Sequence, residues 1–239
     1  MCTVTWIRTA DGYALFSNRD ERDSRTPALG PRENELRGVK YVAPIDGDHG
    51  GSWIGVNEFG LSLCLLNRYG DTQIETKQEY VSRGLLLLDL MDCRFTQNVE
   101  ERIKQFDLSR YRPFTLLVIT VDALTLFQWD GRKFSVDRNG ELQVPLTSTS
   151  AREPGIAGER TRQFEIMSNG ASADYKLLDR FHRSHLPERG AYSVCMHRQG
   201  ARTVSLSQVR VTNEEISFHY EAGSPCESSE AEIVKIGRG

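Results

Sequence analysis

Apolar residues in this chain fall into short alternating runs separated by turn residues, broken twice by pairs of segments with helical spacing. Residues 3–8 and 13–18 flank Ala10-Asp11-Gly12 and predict a β-hairpin that begins beside Cys2. The charged stretch from Glu21 to Gly38 contains Pro27, Gly30 and Pro31 and reads as a long surface loop. Residues 52–57 and 61–67 form a second hairpin around Glu58-Phe59-Gly60. From Glu79 to Cys93, Leu85, Leu86, Leu88, Leu90 and Met91 spread around a helix, and Thr96 to Phe106 adds a shorter amphipathic one. Three strands over 115–121, 124–129 and 133–136 then form a meander, with Asp122-Ala123 and Asp130-Gly131 at the turns. Helical spacing returns over 156–168 and 174–185, and strands over 192–197, 203–210 and 216–220 close the pattern. Blocks of antiparallel strands alternating with helix pairs predict an α+β fold with layered elements rather than βαβ units. No repeat or linker divides the chain, so one domain over 1–239 is expected.

Composition narrows the function classes. A chain of 239 residues, 38% hydrophobic, can bury a substantial core. Lys+Arg 30 against Asp+Glu 33 gives a net charge of -3 with signs mixed throughout and no basic tract, which excludes nucleic acid as an expected partner. No apolar run reaches the roughly 20 residues needed to span a bilayer, and no basic-then-apolar leader opens the sequence. The expectation is a cytoplasmic protein without stable membrane insertion. Its five cysteines, Cys2, Cys64, Cys93, Cys195 and Cys226, are scattered and lack CxxC spacing, as suits reduced thiols.

The sharpest chemistry lies at the N-terminus. With Met1 removed, Cys2 would carry both a thiol and an α-amine with a pKa of about 7.7 to 8.0, a nucleophile and a base in one residue. Antiparallel pairing returns Asn18-Arg19-Asp20-Glu21 to the Cys2 end of the hairpin. There Arg19 could depress the thiol pKa, and Asp20 could hold the α-ammonium or orient the amine. The run from His49 to Asn57 has three glycines within six residues but neither a phosphate-loop lysine nor GxGxxG order, so the glycines read as sites of close backbone approach. Asn67 is a candidate oxyanion donor or an ordinary turn residue. His182 and His185 share a helix face at i and i+3 without a third ligand; they read as solvated, and no metal site is expected. His49 and His197 are candidate haem ligands or acid-base groups. Ser148, Ser150, Ser205 and Ser207 lie in clusters without a GxSxG elbow.

Together, Met1-Cys2-Thr3, Asn18-Arg19-Asp20-Glu21, Gly50-Gly51-Ser52-Trp53, Gly60-Leu61 and Asn67 resemble the NRDE family, the transport and Golgi organisation protein 2-like proteins. Thr203 to Ser207 and Gly223 to Cys226 extend the resemblance to the C-terminal part. More distantly, the chain is similar to choloylglycine hydrolases and penicillin V acylases, which are N-terminal nucleophile hydrolases. That resemblance implies a four-layer αββα sandwich of two antiparallel sheets between helix pairs, and cleavage of a linear C–N amide bond without a cofactor. It implies Cys2 as nucleophile and base, Arg19 and Asp20 beside it, Asn67 at the oxyanion, and Arg160 as a late active-site arginine. In the acylases two residues separate the arginine from the aspartate, so Glu21 or Asp23 stands as an alternative to Asp20. Leu146 to Ser150 resembles an acylase stretch, with serine and threonine where asparagines stand there. The ligand implied is a small N-acyl or lipid-like molecule. The alternative that the NRDE resemblance implies is non-enzymatic haem or acyl-CoA/lipid handling, with His49 or His197 on the haem.

Overall fold

The computed structural model describes residues 2–68, 79–148, 155–227 and 230–239; Met1 and Ser150 lie outside them. Successive side chains of a strand point to opposite faces of its sheet, and in the first hairpin both faces are buried. In β1 (Cys2–Thr9) and β2 (Gly12–Arg22), Val4, Trp6, Tyr13 and Leu15 pack towards a second sheet, whereas Ala14 and Phe16 pack towards helices. A sheet covered on both sides needs two further layers, and the remaining elements supply them.

The second sheet runs in chain order through β3 (Leu29–Leu36), β4 (Val39–Ile45), β5 (Ile54–Asn57), β6 (Ser62–Asn67), β7 (Phe114–Ile119), β8 (Leu124–Trp129) and β9 (Phe134–Asp137). Its outer face carries α1 (Arg83–Asp89) and α2 (Thr96–Ile103), which bury Leu86, Leu87, Val99 and Ile103 against Leu63, Leu65, Leu116 and Phe127. The first sheet is completed by β10 (Leu146–Thr147), β12 (Ala201–Val211), β13 (Glu215–Ala222) and β14 (Glu232–Gly237) in the order β10-β1-β2-β12-β13-β14, with β11 (His197–Arg198) paired to β12. On its outer face lie α3 (Ile156–Ser168) and α4 (Tyr175–His182), whose Phe164, Leu178 and Phe181 meet Phe16 and Leu206. All pairings are antiparallel. The result is the four-layer αββα sandwich. No helix among the described residues is long and apolar enough to cross a membrane.

Several expected elements change. The stretch from Glu21 to Gly38 is not one long loop: β2 continues to Arg22, and β3 and β4 form a hairpin whose turn residues Arg37 and Gly38 have φ of 50° and 83°. Such left-handed pairs suit two-residue hairpins. The charges that suggested a loop belong to an edge strand, where they discourage pairing with another chain. The helix expected over 79–93 is shorter, because α1 gives way to tight turns in which the N–H groups of Leu90, Met91 and Cys93 bond three residues back. The strand expected over 192–197 is irregular before β11, since the carbonyls of Ser193 and Val194 accept side-chain donors from Arg160 and Asn18.

His182 is not solvated. α4 ends with it, so His185 leaves the helix face that the i, i+3 spacing assumed. Asn18 donates both amide hydrogens to the carbonyls of His182 and Val194, so its Oδ1 accepts from His182 Nδ1–H at 3.0 Å, and Nε2 accepts from the Thr5 hydroxyl at 2.9 Å. Every polar atom is satisfied with the ring neutral, and burial pushes its pKa from 6.5 down to about 3. The unfolded chain therefore takes up a proton near pH 6.5 that the folded chain refuses, and stability is lost as the pH is lowered from about 6.5 towards about 3, by up to about 1.4 kcal/mol per pH unit. In His182→Gln the slope of unfolding free energy between pH 6.5 and 4.5, measured by urea denaturation, is expected to be shallower than in the wild type; equal slopes would refute this assignment.

Candidate active site

Strand register places Cys2 opposite Arg19. Alternation then sorts the neighbours. Cys2 and Arg19 face the space between the sheets, where Cys2 packs at the margin of the central apolar cluster, while Thr3, Asn18 and Asp20 face the helices. The sequence motif is thus divided between two sides of one sheet.

On the inter-sheet side, the Arg19 guanidinium lies 4.1 Å from the centre of the Trp53 ring, contributed by the second sheet, and donates to Asp46. Asp46 also accepts from Arg25 at 2.6 Å. Glu21 stands 3.7 Å from Arg19, and Asp23 pairs with Arg202 at 3.3 Å. Gly51 explains how Trp53 reaches this position: a Cβ there would sit 2.5 Å from the Gly84 backbone, where α1 starts, and Ser52 N–H donates to the Gly84 carbonyl. Cys64 completes the wall, donating to Ser17 Oγ at 3.6 Å.

On the helix side, Asp20 is held by two elements. Its Oδ2 accepts both terminal nitrogens of Arg160 at 3.2 Å, and its Oδ1 accepts the Thr203 hydroxyl at 2.7 Å. Arg160, fully buried on α3, also donates to Thr3 Oγ1 at 2.6 Å and to the Ser193 carbonyl at 2.7 Å. Its donors are therefore matched by acceptors, which is the condition for keeping a charge out of water.

The Cys2 backbone nitrogen donates to Ser148 Oγ at 2.7 Å, and the Cys2 carbonyl accepts Ser148 N–H at 3.0 Å. Burial pushes the Cys2 thiol above its ordinary value, and the Asp20 carboxylate adds to the rise; a backbone hydrogen bond from Asp20 and the Arg19 charge oppose it without prevailing. The expectation that Arg19 depresses the thiol pKa is right in sign and outweighed in size.

Of the three acidic candidates, Asp20 is the one that interacts with Cys2. Asn67 ends β6 opposite Phe114, half-buried, on the strand face shared with Leu63 and Leu65 rather than that of Cys64 and Leu66. His49 is exposed in the turn before β5, where its N–H donates to Asp46 at 2.9 Å. His197 Nε2 faces the sulfurs of Cys195 and Cys226 at 3.5 and 3.3 Å. Sequence reasoning missed Ser148, Asp46 and Trp53 as partners of the site. Ser148 carries a signal in the sequence, its place in the acylase-like stretch Leu146 to Ser150.

A family model described as Transport and Golgi organisation 2 matches residues 1–178. The chain belongs to that family. Among curated proteins, none matches the sequence. Among solved structures, a C2A mutant of the conjugated bile acid hydrolase from Clostridium perfringens is similar at a TM-score of 0.59 and 14% identity, over 99% of this chain and 92% of that one. The Caenorhabditis elegans ortholog of N-acylethanolamine-hydrolyzing acid amidase is similar at 0.59 and 11%, over 87% of this chain and 92% of that one. At these identities the likeness shows the fold, that of the N-terminal nucleophile hydrolases, for this member of the Transport and Golgi organisation 2 family.

The buried pair makes a direct prediction. Asp20→Asn or Arg160→Met alone should cost about 3 to 5 kcal/mol, because each strands a buried charge or its partners. The double variant should recover part of that loss in urea unfolding. Strictly additive losses would show that the two residues do not act as a unit.

Proposed function

We propose that this chain is a cysteine N-terminal nucleophile amidohydrolase that cleaves a linear C–N amide bond of a small N-acyl molecule through an acyl-thioester on Cys2. The observation that carries the reading is the setting of Cys2: a thiol at the start of β1 whose neutral form burial favours and whose own backbone nitrogen is anchored by Ser148. A thiol that rests protonated needs a base at hand. Removal of Met1 would turn the anchored nitrogen into that base.

In this mechanism the α-amine takes the Sγ proton as sulfur attacks the substrate carbonyl carbon. The tetrahedral oxyanion is stabilised by backbone N–H groups, since Asn67 stands on the opposite face of β6 from Cys2. Collapse breaks the C–N bond while the α-ammonium returns its proton to the departing amine. A water molecule then gives a proton to the α-amine and attacks the thioester, and collapse releases the carboxylic acid and restores the thiol. Arg19, fixed between Asp46 and Trp53, supplies a positive charge facing the nucleophile's strand position. Arg160 is a positioning residue: it acts through Asp20 and Thr3. The fold shared with a bile acid hydrolase and an N-acylethanolamine-hydrolyzing amidase supports an N-acyl amide as the substrate class.

Cys2→Ala should abolish amine release from N-acyl substrates while circular dichroism and the melting temperature remain close to wild type; turnover by that variant would end the proposal. With Met1 removed, alkylation at neutral pH should modify the partly exposed Cys2, whose own amine can take the thiol proton, ahead of the buried Cys64 and Cys93. Intact mass should show Met1 removed in the reactive species. Retained Met1 with an unreactive Cys2 and reversible ligand binding would favour the haem or acyl-CoA/lipid reading instead.

A further inference from the structure

Away from Cys2, four side chains converge that the sequence keeps apart. His185 follows α4, Cys195 precedes β11, His197 opens β11, and Cys226 lies in the short turn Pro225–Glu227. Their four ligand atoms all lie within 4.8 Å of one another. His197 Nε2 is 3.5 Å from Cys195 Sγ and 3.3 Å from Cys226 Sγ. Zinc bonds of about 2.3 Å to sulfur and 2.0–2.1 Å to nitrogen, arranged tetrahedrally, put sulfur and nitrogen about 3.5 Å apart. The His185 and His197 rings stand 5.2 Å apart at 68°, and His185 Nε2 is buried without a hydrogen-bond partner. A buried ring nitrogen left unsatisfied carries a cost that a ligand would remove.

We propose that His185, Cys195, His197 and Cys226 form a tetrahedral Cys2His2 zinc site. Two thiolates and two imidazoles are the donor set that selects zinc, and four protein ligands leave no open position, so the site is structural rather than catalytic. The cradle is held by bonds that do not involve the ligand atoms. Cys195 N–H donates to the Ser184 carbonyl at 3.0 Å, and His197 N–H donates to the Gly190 carbonyl at 3.2 Å. Arg183 donates to the Pro225 carbonyl at 2.7 Å, beside Cys226. Zinc binding displaces one proton from each thiol and leaves a core of no net charge. On His197, metal at Nε2 puts the remaining proton on Nδ1, so Arg189, 3.3 Å from Nδ1, turns to Glu227, 3.6 Å away.

The site would brace the candidate active site from behind. Cys195 lies two residues from Ser193, whose carbonyl holds Arg160, and Thr203, which holds Asp20, donates its backbone N–H to the Met196 carbonyl at 2.8 Å. The proposal stands independently of the hydrolase reading, and all four ligands lie beyond residue 178, where the family match ends.

The test uses the full untagged chain, stripped of metal with a chelator under reducing conditions and titrated with Co2+ and then Zn2+. The expected result is one Co2+ per chain, with thiolate-to-cobalt charge-transfer and intense tetrahedral d–d bands that Zn2+ abolishes. Cys226→Ser and His185→Ala should each weaken Co2+ binding by more than about 100-fold, beyond the 10–100-fold that loss of an outer partner costs. Cys93→Ala should bind as the wild type does. Absence of stoichiometric uptake by the wild type would overturn the proposal without reliance on any variant. So would a Cys195–Cys226 disulfide in protein quenched with alkylator at lysis, or an unchanged cobalt spectrum in Cys226→Ser.

Discussion

The arrangement around Cys2 depends on one buried ion pair, Asp20 with Arg160, both side chains withdrawn completely from solvent. Two charges in the interior survive only if their remaining donors and acceptors are matched, and here the matching partners come from different parts of the chain. Thr3 belongs to β1, Asp20 to β2, Thr203 to β12, Arg160 to α3, and Ser193 to the irregular segment before β11. Satisfying one guanidinium and one carboxylate therefore fixes the relative position of three strands and a helix. Thr3 is the covalent neighbour of Cys2, and Asp20 that of Arg19. The pair sets the position of Cys2 from the far side of the sheet.

Because the strand period is two, the same tetrapeptide serves two layers. Asn18 and Asp20 face the helices, where Asn18 orders the neutral ring of His182; Arg19 faces the opposite sheet and rests on Trp53. Arg19 thereby links the two sheets through a cation–π contact and the Asp46 carboxylate, and one strand couples the outer helical layer to the cleft between the sheets. A shift of register by one residue would exchange these faces, sending Arg19 into the helix layer and Asp20 into the cleft.

Much of this is legible in the sequence. The first hairpin and the juxtaposition of Cys2 with Arg19 follow from turn chemistry and antiparallel pairing, and the meander over β7, β8 and β9 follows from its turns. Two helix pairs separated by strand blocks gave the layering. What stayed hidden depends on tertiary context. The β3 edge strand is largely exposed and charged and carries no apolar signature, and β14 lies at the edge of the other sheet. His182 resembles any polar helix residue until Thr5 and Asn18, far away in sequence, close around it. The cluster of His185, Cys195, His197 and Cys226 has no ligand spacing to read, because the turn after α4 and the end of β13 bring the residues together.

The state of the Cys2 thiol connects this architecture to chemistry. Many reactive cysteines rest as thiolates beside a permanent cation, which makes them fast nucleophiles and also exposes them to oxidation. Here the cation is present, but Asp46 engages Arg19 and burial outweighs its pull, so the sulfur rests as a thiol. Such a site gains its nucleophile only when a base removes the proton during attack, and the anchored nitrogen of the same residue is the group placed to become that base. In the proposed mechanism the thiol stays protected while idle, and its activation is tied to the one covalent event, loss of Met1, that would convert an amide into an amine. A chain that keeps Met1 would keep the fold, the buried pair and the cleft, and lack only the base.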